Sequence, residues 1–239
     1  MRKLTMSMCL LSALLYAGGP KPTKQMSSEA WSDDFSGGKL SDRWMASNGG
    51  LGFSPKYVDL SKGMLGLRLT QSKNKDGVFV SLGAEVQTRK VYGFGTYTWE
   101  MRSSSTAASP NSTGVGQSGS SSGVFSFVDD SAVEIDFEVE GNRPQVVWAV
   151  NWHKPKWSVK GTKVQSDTEF HEYKYVWSKD RIEYLIDGKV VWVVTENVPQ
   201  KPSFVIMNHW GTSTTKWGGT PTEGTRYMWI RNFSFEPER

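Results

Sequence analysis

A chain of 239 residues, 37% hydrophobic and 13% aromatic with 11 Trp, suits one large all-β domain and, less comfortably, two small ones. Its 28 basic and 24 acidic groups give a net charge of only +4, too little to argue for nucleic acid. A single cysteine excludes a disulfide-stapled scaffold.

Arg2 and Lys3 precede an apolar run over 4–16 that closes on Ala17-Gly18-Gly19. A charged start, a short apolar centre and small residues at the exit predict a signal peptide over 1–19. The run is too short for a stable membrane anchor. Cys9 lies inside this leader, in a context unlike a lipidation site. Without the leader, 26 basic groups face 24 acidic ones and no cysteine remains. No later segment is apolar over a spanning length. The mature protein is therefore expected to be soluble and secreted (extracellular or periplasmic) and monomeric, with no membrane or nucleic-acid partner. Residues 20–30 read as a polar spacer, and 31–239 as one domain.

In that domain short alternating or apolar runs recur between Gly, Pro, Asn and Asp punctuation, with no useful helical period. Strands are predicted at 64–70, 83–88, 93–102, 123–128, 133–139, 146–153, 172–177, 181–186, 190–195, 204–210 and 227–236. Asp187-Gly188 marks a hairpin turn. So many sequential strands predict an all-β fold, a jelly-roll sandwich of two stacked antiparallel sheets. The Ser/Gly-rich stretch 103–123 reads as a flexible loop or an extended hairpin tip. It contains chance matches to GxGxxG (114–119) and GxSxG (119–123), but both motifs need a strand followed by a helix. Asn111-Ser112-Thr113 and Asn232-Phe233-Ser234 fit glycosylation acceptors, relevant only in a eukaryotic secretory host.

The most informative run is Val133-Glu134-Ile135-Asp136-Phe137-Glu138-Val139. Strict alternation places the four apolar residues on one face of a strand and the three acids on the other. Neighbouring acids are then ~6.6 Å apart at Cα. Folding does not require such crowding. A solvated acidic face and a calcium-binding edge are two readings. The third is a glycosidase site, which needs one ionised and one protonated carboxyl, a split that mutual repulsion produces.

Glu134-Ile135-Asp136-Phe137-Glu138 resembles the ExDxE signature of glycoside hydrolase family 16, in the form without an inserted residue. Further segments resemble the same family in order. They are Ser47-Asn48-Gly49-Gly50, Tyr92-Gly93-Phe94-Gly95-Thr96-Tyr97 with Glu100-Met101-Arg102, and Phe170-His171-Glu172-Tyr173 through Trp177. Ile182 to Gly188 and Met207-Asn208-His209-Trp210 complete the set.

The resemblance implies a concave cleft and an endo-acting, retaining β-glucanase, with mixed-linkage β-1,3-1,4-glucan as the expected substrate. It makes Glu134 the nucleophile and Glu138 the general acid and base. Asp136 lies between them and is expected to share a hydrogen bond and a proton with Glu134. Substrate contacts carried over by matching position are Asn48, Glu85, Gln87, Asn208 and Trp210. Asn151 and His153, which share a face of the next strand, are added as binding residues. Trp152 and Trp157 either stack on sugar or cover a sheet edge.

Two positions depart from the family pattern: Gln87 stands where an Arg is usual, and Ala132 where a Trp is usual. No cofactor is expected, and a structural calcium stays open. The alternatives are a transglycosylase, since 138–142 partly resembles the plant run EFLGN, or a hydrolase of another β-glucan or an algal galactan. More distant is a jelly roll that binds glycans without cutting them.

Overall fold

The structure is a computed structural model that describes residues 22–129 and 131–239. The leader and Cys9 lie outside the described residues. In chain order the strands are β1 (Met26–Ser27), β2 (Trp31–Asp33), β3 (Trp44–Ala46), β4 (Val58–Asp59), β5 (Leu65–Lys73) and β6 (Phe79–Leu82). There follow β7 (Ala84–Thr88), β8 (Val91–Tyr92), β9 (Gly95–Ser105), β10 (Ser120–Val128), β11 (Val133–Glu140) and β12 (Val146–His153). The last are β13 (Lys156–Lys163), β14 (His171–Ser178), β15 (Arg181–Ile186), β16 (Lys189–Val194), β17 (Phe204–Gly211) and β18 (Gly224–Pro237). The one helical element among the described residues is a 3₁₀ turn at Pro55–Tyr57, and no helix there is long and apolar enough to cross a membrane.

Two antiparallel sheets carry the fold. A seven-stranded sheet runs β13-β12-β11-β10-β17-β7-β3, and a nine-stranded sheet runs β16-β15-β14-β9-β18-β5-β4, with β2 on β18 and β6 on β5. The expected sandwich is therefore present. The acid strand β11 is internal to the seven-stranded sheet, flanked by β10 and β12.

The apolar half of β11 explains its anchorage. Val133, Ile135, Phe137 and Val139 are fully buried, and the Phe137 ring lies 5.4 Å from both Tyr173 and Tyr184 of the other sheet. A buried Phe is worth about 3–5 kcal/mol by truncation. Two adjacent ionised carboxylates ~6.6 Å apart repel by roughly 2–3 kcal/mol at an effective dielectric of 20. The core-facing half thus outweighs the strain on the acid half, and the acids relieve it by keeping protons rather than by peeling the strand away. Trp31, Trp44, Trp99 and Trp177 belong to the same core.

Three expectations need correction. Stretch 103–123 is not one flexible loop: Ser103–Ser105 ends β9 and Ser120–Gly123 begins β10, and all of these residues are buried. Serine is small enough to pack between sheets if its hydroxyl is paired, and here the hydroxyls pair with one another. Ser104 meets Ser120 at 3.0 Å, Ser103 meets Ser166 at 2.9 Å, and His209 Nε2 lies 2.9 Å from Ser104 Oγ. The connection itself is pinned, with Arg102 donating to the carbonyls of Ser109, Pro110 and Ser112.

Second, the polar spacer contains β1, which pairs in parallel with β8. Third, seven of the strands, β1–β4, β6, β8 and β13, have no counterpart among the predicted ones; six of them span two to four residues, and β13 is the long one. It is an edge strand of mostly polar residues, so it lacks the apolar signal of an internal one.

Candidate active site

Strand register decides which side chains meet. Across the β10–β11 ladder Glu134 pairs with Phe127, Asp136 with Phe125 and Glu138 with Gly123. Across β17 the same rows continue to Phe204, Ile206 and Asn208, and Glu85 of β7 pairs with Asn208. On the other flank Glu134 pairs with Trp152, Asp136 with Val150 and Glu138 with Trp148. Paired residues project to one face, so the three acids, Asn208 and Glu85 share the face turned away from the core.

These residues line a recess bounded by Leu51, Phe53, Glu85, Phe125, Phe127, Glu134, Asp136, Glu138 and Asn208, which encloses about 360 Å³ counting the open space at its mouth. The enclosed part is only about 20 Å³, room for about one water, so the recess is a shallow floor open to solvent and not a closed ligand cavity. Gly123 keeps the floor open between Glu138 and Asn208: a Cβ there would lie 3.5 Å from both side chains.

Burial sets the electrostatics. Glu134 is 8% exposed and Asp136 2% exposed. Burial first, then the charges of Glu134 and Glu138, push the Asp136 carboxyl well above its ordinary range, and a hydrogen bond with Glu134 acts in the same direction. Burial, followed by the charges of Glu134 and Glu140, raises Glu138 to about 8. Glu138 therefore holds a proton at neutral pH while remaining partly open to the recess. A protonated carboxyl and a charged neighbour on one strand face form the acid–nucleophile division that paired-carboxyl chemistry uses.

Glu85 is the next buried acid. Ser47 Oγ donates to its Oε1 at 2.7 Å and Asn208 Nδ2 to its Oε2 at 3.4 Å, yet burial outweighs both bonds and raises it to about 7. It stands three strands from β11, ~14 Å at 4.8 Å per strand. From there it can bind a neighbouring sugar but cannot touch the bond that Glu134 and Glu138 would share.

The other expected contacts divide. Trp210 pairs with Ser121 and is half-buried on the acid face. Asn48 is half-buried in the loop after β3, but Leu51 and Phe53 supply that loop's lining of the recess. Gln87 pairs with Ile206 on the acid face, buried with its Nε2 against Met45 Sδ at 3.7 Å.

Asn151 and His153 do not join the site. Asn151 pairs with Ile135, so both lie on the opposite, core-side face of β12, where Asn151 Nδ2 donates to Asn197 O at 3.2 Å. Trp152 takes the place expected of them. It stacks at 22° and 5.5 Å on Trp157, whose ring is exposed. Phe125 and Phe127 were not anticipated; both lie in a predicted strand at the right parity, but only the register with β11 brings them to the acids.

Comparison with known proteins gives the family. A family model described as Glycosyl hydrolases family 16 matches residues 51–231. The endo-1,3-1,4-beta-glycanase ExoK of Rhizobium meliloti (strain 1021) is 32% identical over 197 residues, covering 76% of this chain and 66% of its own length. A beta-glucanase of Acetivibrio thermocellus is 26% identical over 197 residues, covering 76% of this chain and 54% of its own. The chain thus spans between a half and two thirds of these curated relatives. The solved Bacillus licheniformis beta-glucanase superposes with a TM-score of 0.74 at 20% identity, over 87% of this chain and 98% of that one, a likeness of fold. The family match includes the acid strand and both flanks of the recess, and this chain belongs to glycoside hydrolase family 16.

Proposed function

We propose that the protein is a secreted, endo-acting, retaining β-glucanase whose substrate is mixed-linkage β-1,3-1,4-glucan. The observation that carries this reading is the acid row at the floor of the recess, with Glu138 protonated to about pH 8 beside the charge of Glu134. Glu134 attacks the anomeric carbon and its carboxylate oxygen takes the glycosyl bond. The bond to the departing oxygen breaks, and Glu138 supplies the proton that neutralises it. Glu138, now ionised, takes a proton from water, which displaces Glu134 and restores both groups. Asp136 holds its proton against Glu134 and orients that carboxylate. The two carboxyls complete the cycle, so the reading invokes no cofactor. The printed activity of the ExoK relative supports the mixed linkage, and the leader supports export.

Mass analysis of products from a panel of purified β-glucans and galactans tests the reading. A rapid fall in polymer length before short products accumulate, ending in mixed-linkage oligosaccharides, is expected. Cleavage of galactan alone, or of no polymer, overturns it, and products longer than the donor fragments assign a transglycosylase instead.

A further inference from the structure

Glu140 extends the acid row by one more position and, beyond the charge it sets against Glu138, has no part in the chemistry above. Its side chain is fully buried. Its Oε1 accepts from the Arg143 guanidinium and from Trp148 Nε1 at 2.9 Å, and its Oε2 accepts from the Gly218 amide at 2.8 Å. The donors come from three places: the turn after β11, the strand β12, and the connection between β17 and β18. One carboxylate thus ties two neighbouring segments to the catalytic strand.

The segment around Gly218 fits closely. Gly218 has φ +70°, and a Cβ there would lie 2.4 Å from Thr212 Cγ2 and 2.7 Å from Ser120 O, while Gly119 N donates to Gly218 O at 2.7 Å. The adjacent Trp217 donates its Nε1 to Ser121 Oγ at 3.1 Å, and Ser121 is the β10 partner of Glu140. The Trp217 and Trp148 rings meet at 6.4 Å and 45°. Trp148 is the cross-strand neighbour of Glu138, and its ring covers Gly161 of β13, where a Cβ would lie 2.8 Å from the indole. Arg143 covers Trp148 at 5.2 Å from its ring centroid. Two indoles therefore meet beside the general acid, Trp148 half-buried and Trp217 buried behind it; Glu140 bonds Trp148 directly and Trp217 only through the neighbouring Gly218 amide.

We propose that Glu140 is a positioning residue that holds Trp148, backed by the buried Trp217, as a wall for the sugar ring next to the cleaved bond on the Glu138 side. This rests on the β-glucanase reading. The carboxylate is suited to the task because a charge-assisted acceptor serves three donors at once. A leucine would fill the space and leave all three unsatisfied. Its effect falls on binding of sugar along the groove, whereas the bond-breaking groups are held by β11 itself.

The test is Glu140→Gln, which keeps the volume but turns an amide NH₂ toward one of the donors. On soluble mixed-linkage glucan near pH 5–6, where Glu138 keeps its proton in both proteins, KM should rise about tenfold with kcat within about threefold of wild type. In a Glu134→Gln background, the tryptophan fluorescence change on adding an oligosaccharide should be lost. Arg143→Gln and Trp148→Phe each leave the Gly218 bond in place, and both should raise KM in the same direction by a smaller factor. If Glu140→Gln does not fold, these two variants decide by the same KM readout. A folded Glu140→Gln enzyme of lowered Tm, with wild-type KM and fluorescence response, would make Glu140 purely structural and overturn the proposal. A wild-type protein inactive on every β-glucan would fail at the functional reading instead, a result distinct from active variants with unchanged KM.

Discussion

Glu134→Gln is expected to lower turnover on β-glucan by about 10⁴-fold or more, with folding intact, because it deletes the atom that forms the glycosyl-enzyme bond. Glu138→Gln should cost about 10²–10⁴-fold, the usual contribution of a general acid or base. The two losses can be told apart. An aryl glycoside whose leaving oxygen needs no proton bypasses the acid in the first step. Glu138→Gln should then show a rapid burst of aryl release followed by slow turnover, whereas Glu134→Gln should show no burst. The amide fits either site sterically, since the acid face of β11 is set by the four buried apolar residues on its other face. Near-full activity in Glu134→Gln would remove that residue from the reaction.

Stability should respond to Glu138→Gln in the opposite direction. Burial and the neighbouring acids raise Glu138 from an ordinary value near 4.5 to about 8. Between those limits the folded state binds a proton that the unfolded state has released, so folding stability falls as pH rises through the window. Glu85, raised to about 7 by burial, adds a loss of the same sign. A glutamine carries no proton to lose. The variant should match wild type near pH 5 and be more stable near pH 8 by roughly 2–4 kcal/mol, about 4–16 °C in Tm for a chain of this length. Thermal melts of both proteins at pH 5 and pH 8 check this, and equal differences at the two values would contradict it. The alkaline fall of kcat/KM should lie near pH 8 for the same reason, because there the general acid loses its proton.

Much of this was legible in the chain. Strict alternation over Val133 to Val139 identified β11 and its acid face, and ten further strands were readable from their apolar runs. The errors have definite causes. Asn151 and His153 share a face, as parity requires, but parity does not say which face. The pairing of Asn151 with Ile135 decides that, and a shift of one residue would reverse it. Glu140 was in phase with the other acids, yet its role depends on Gly218, 78 residues further along the chain. The serines of 103–123 look like low complexity, because mutual hydroxyl pairing leaves no signature in a linear sequence. Seven strands leave no signal: β1–β4, β6 and β8 are too short for a period to show, and the edge strand β13 lacks apolar residues.

The central claim is that Glu134 bonds to the sugar while Glu138 manages the proton. The most direct measurement is the mass of the protein after incubation with a 2-fluoro glycosyl fluoride of the β-gluco series, whose fluorine slows release more than attack. The account predicts an increase of one glycosyl unit that maps to the peptide carrying Glu134. A label on Glu138 or elsewhere, or cleavage that inverts the anomeric carbon, would contradict it.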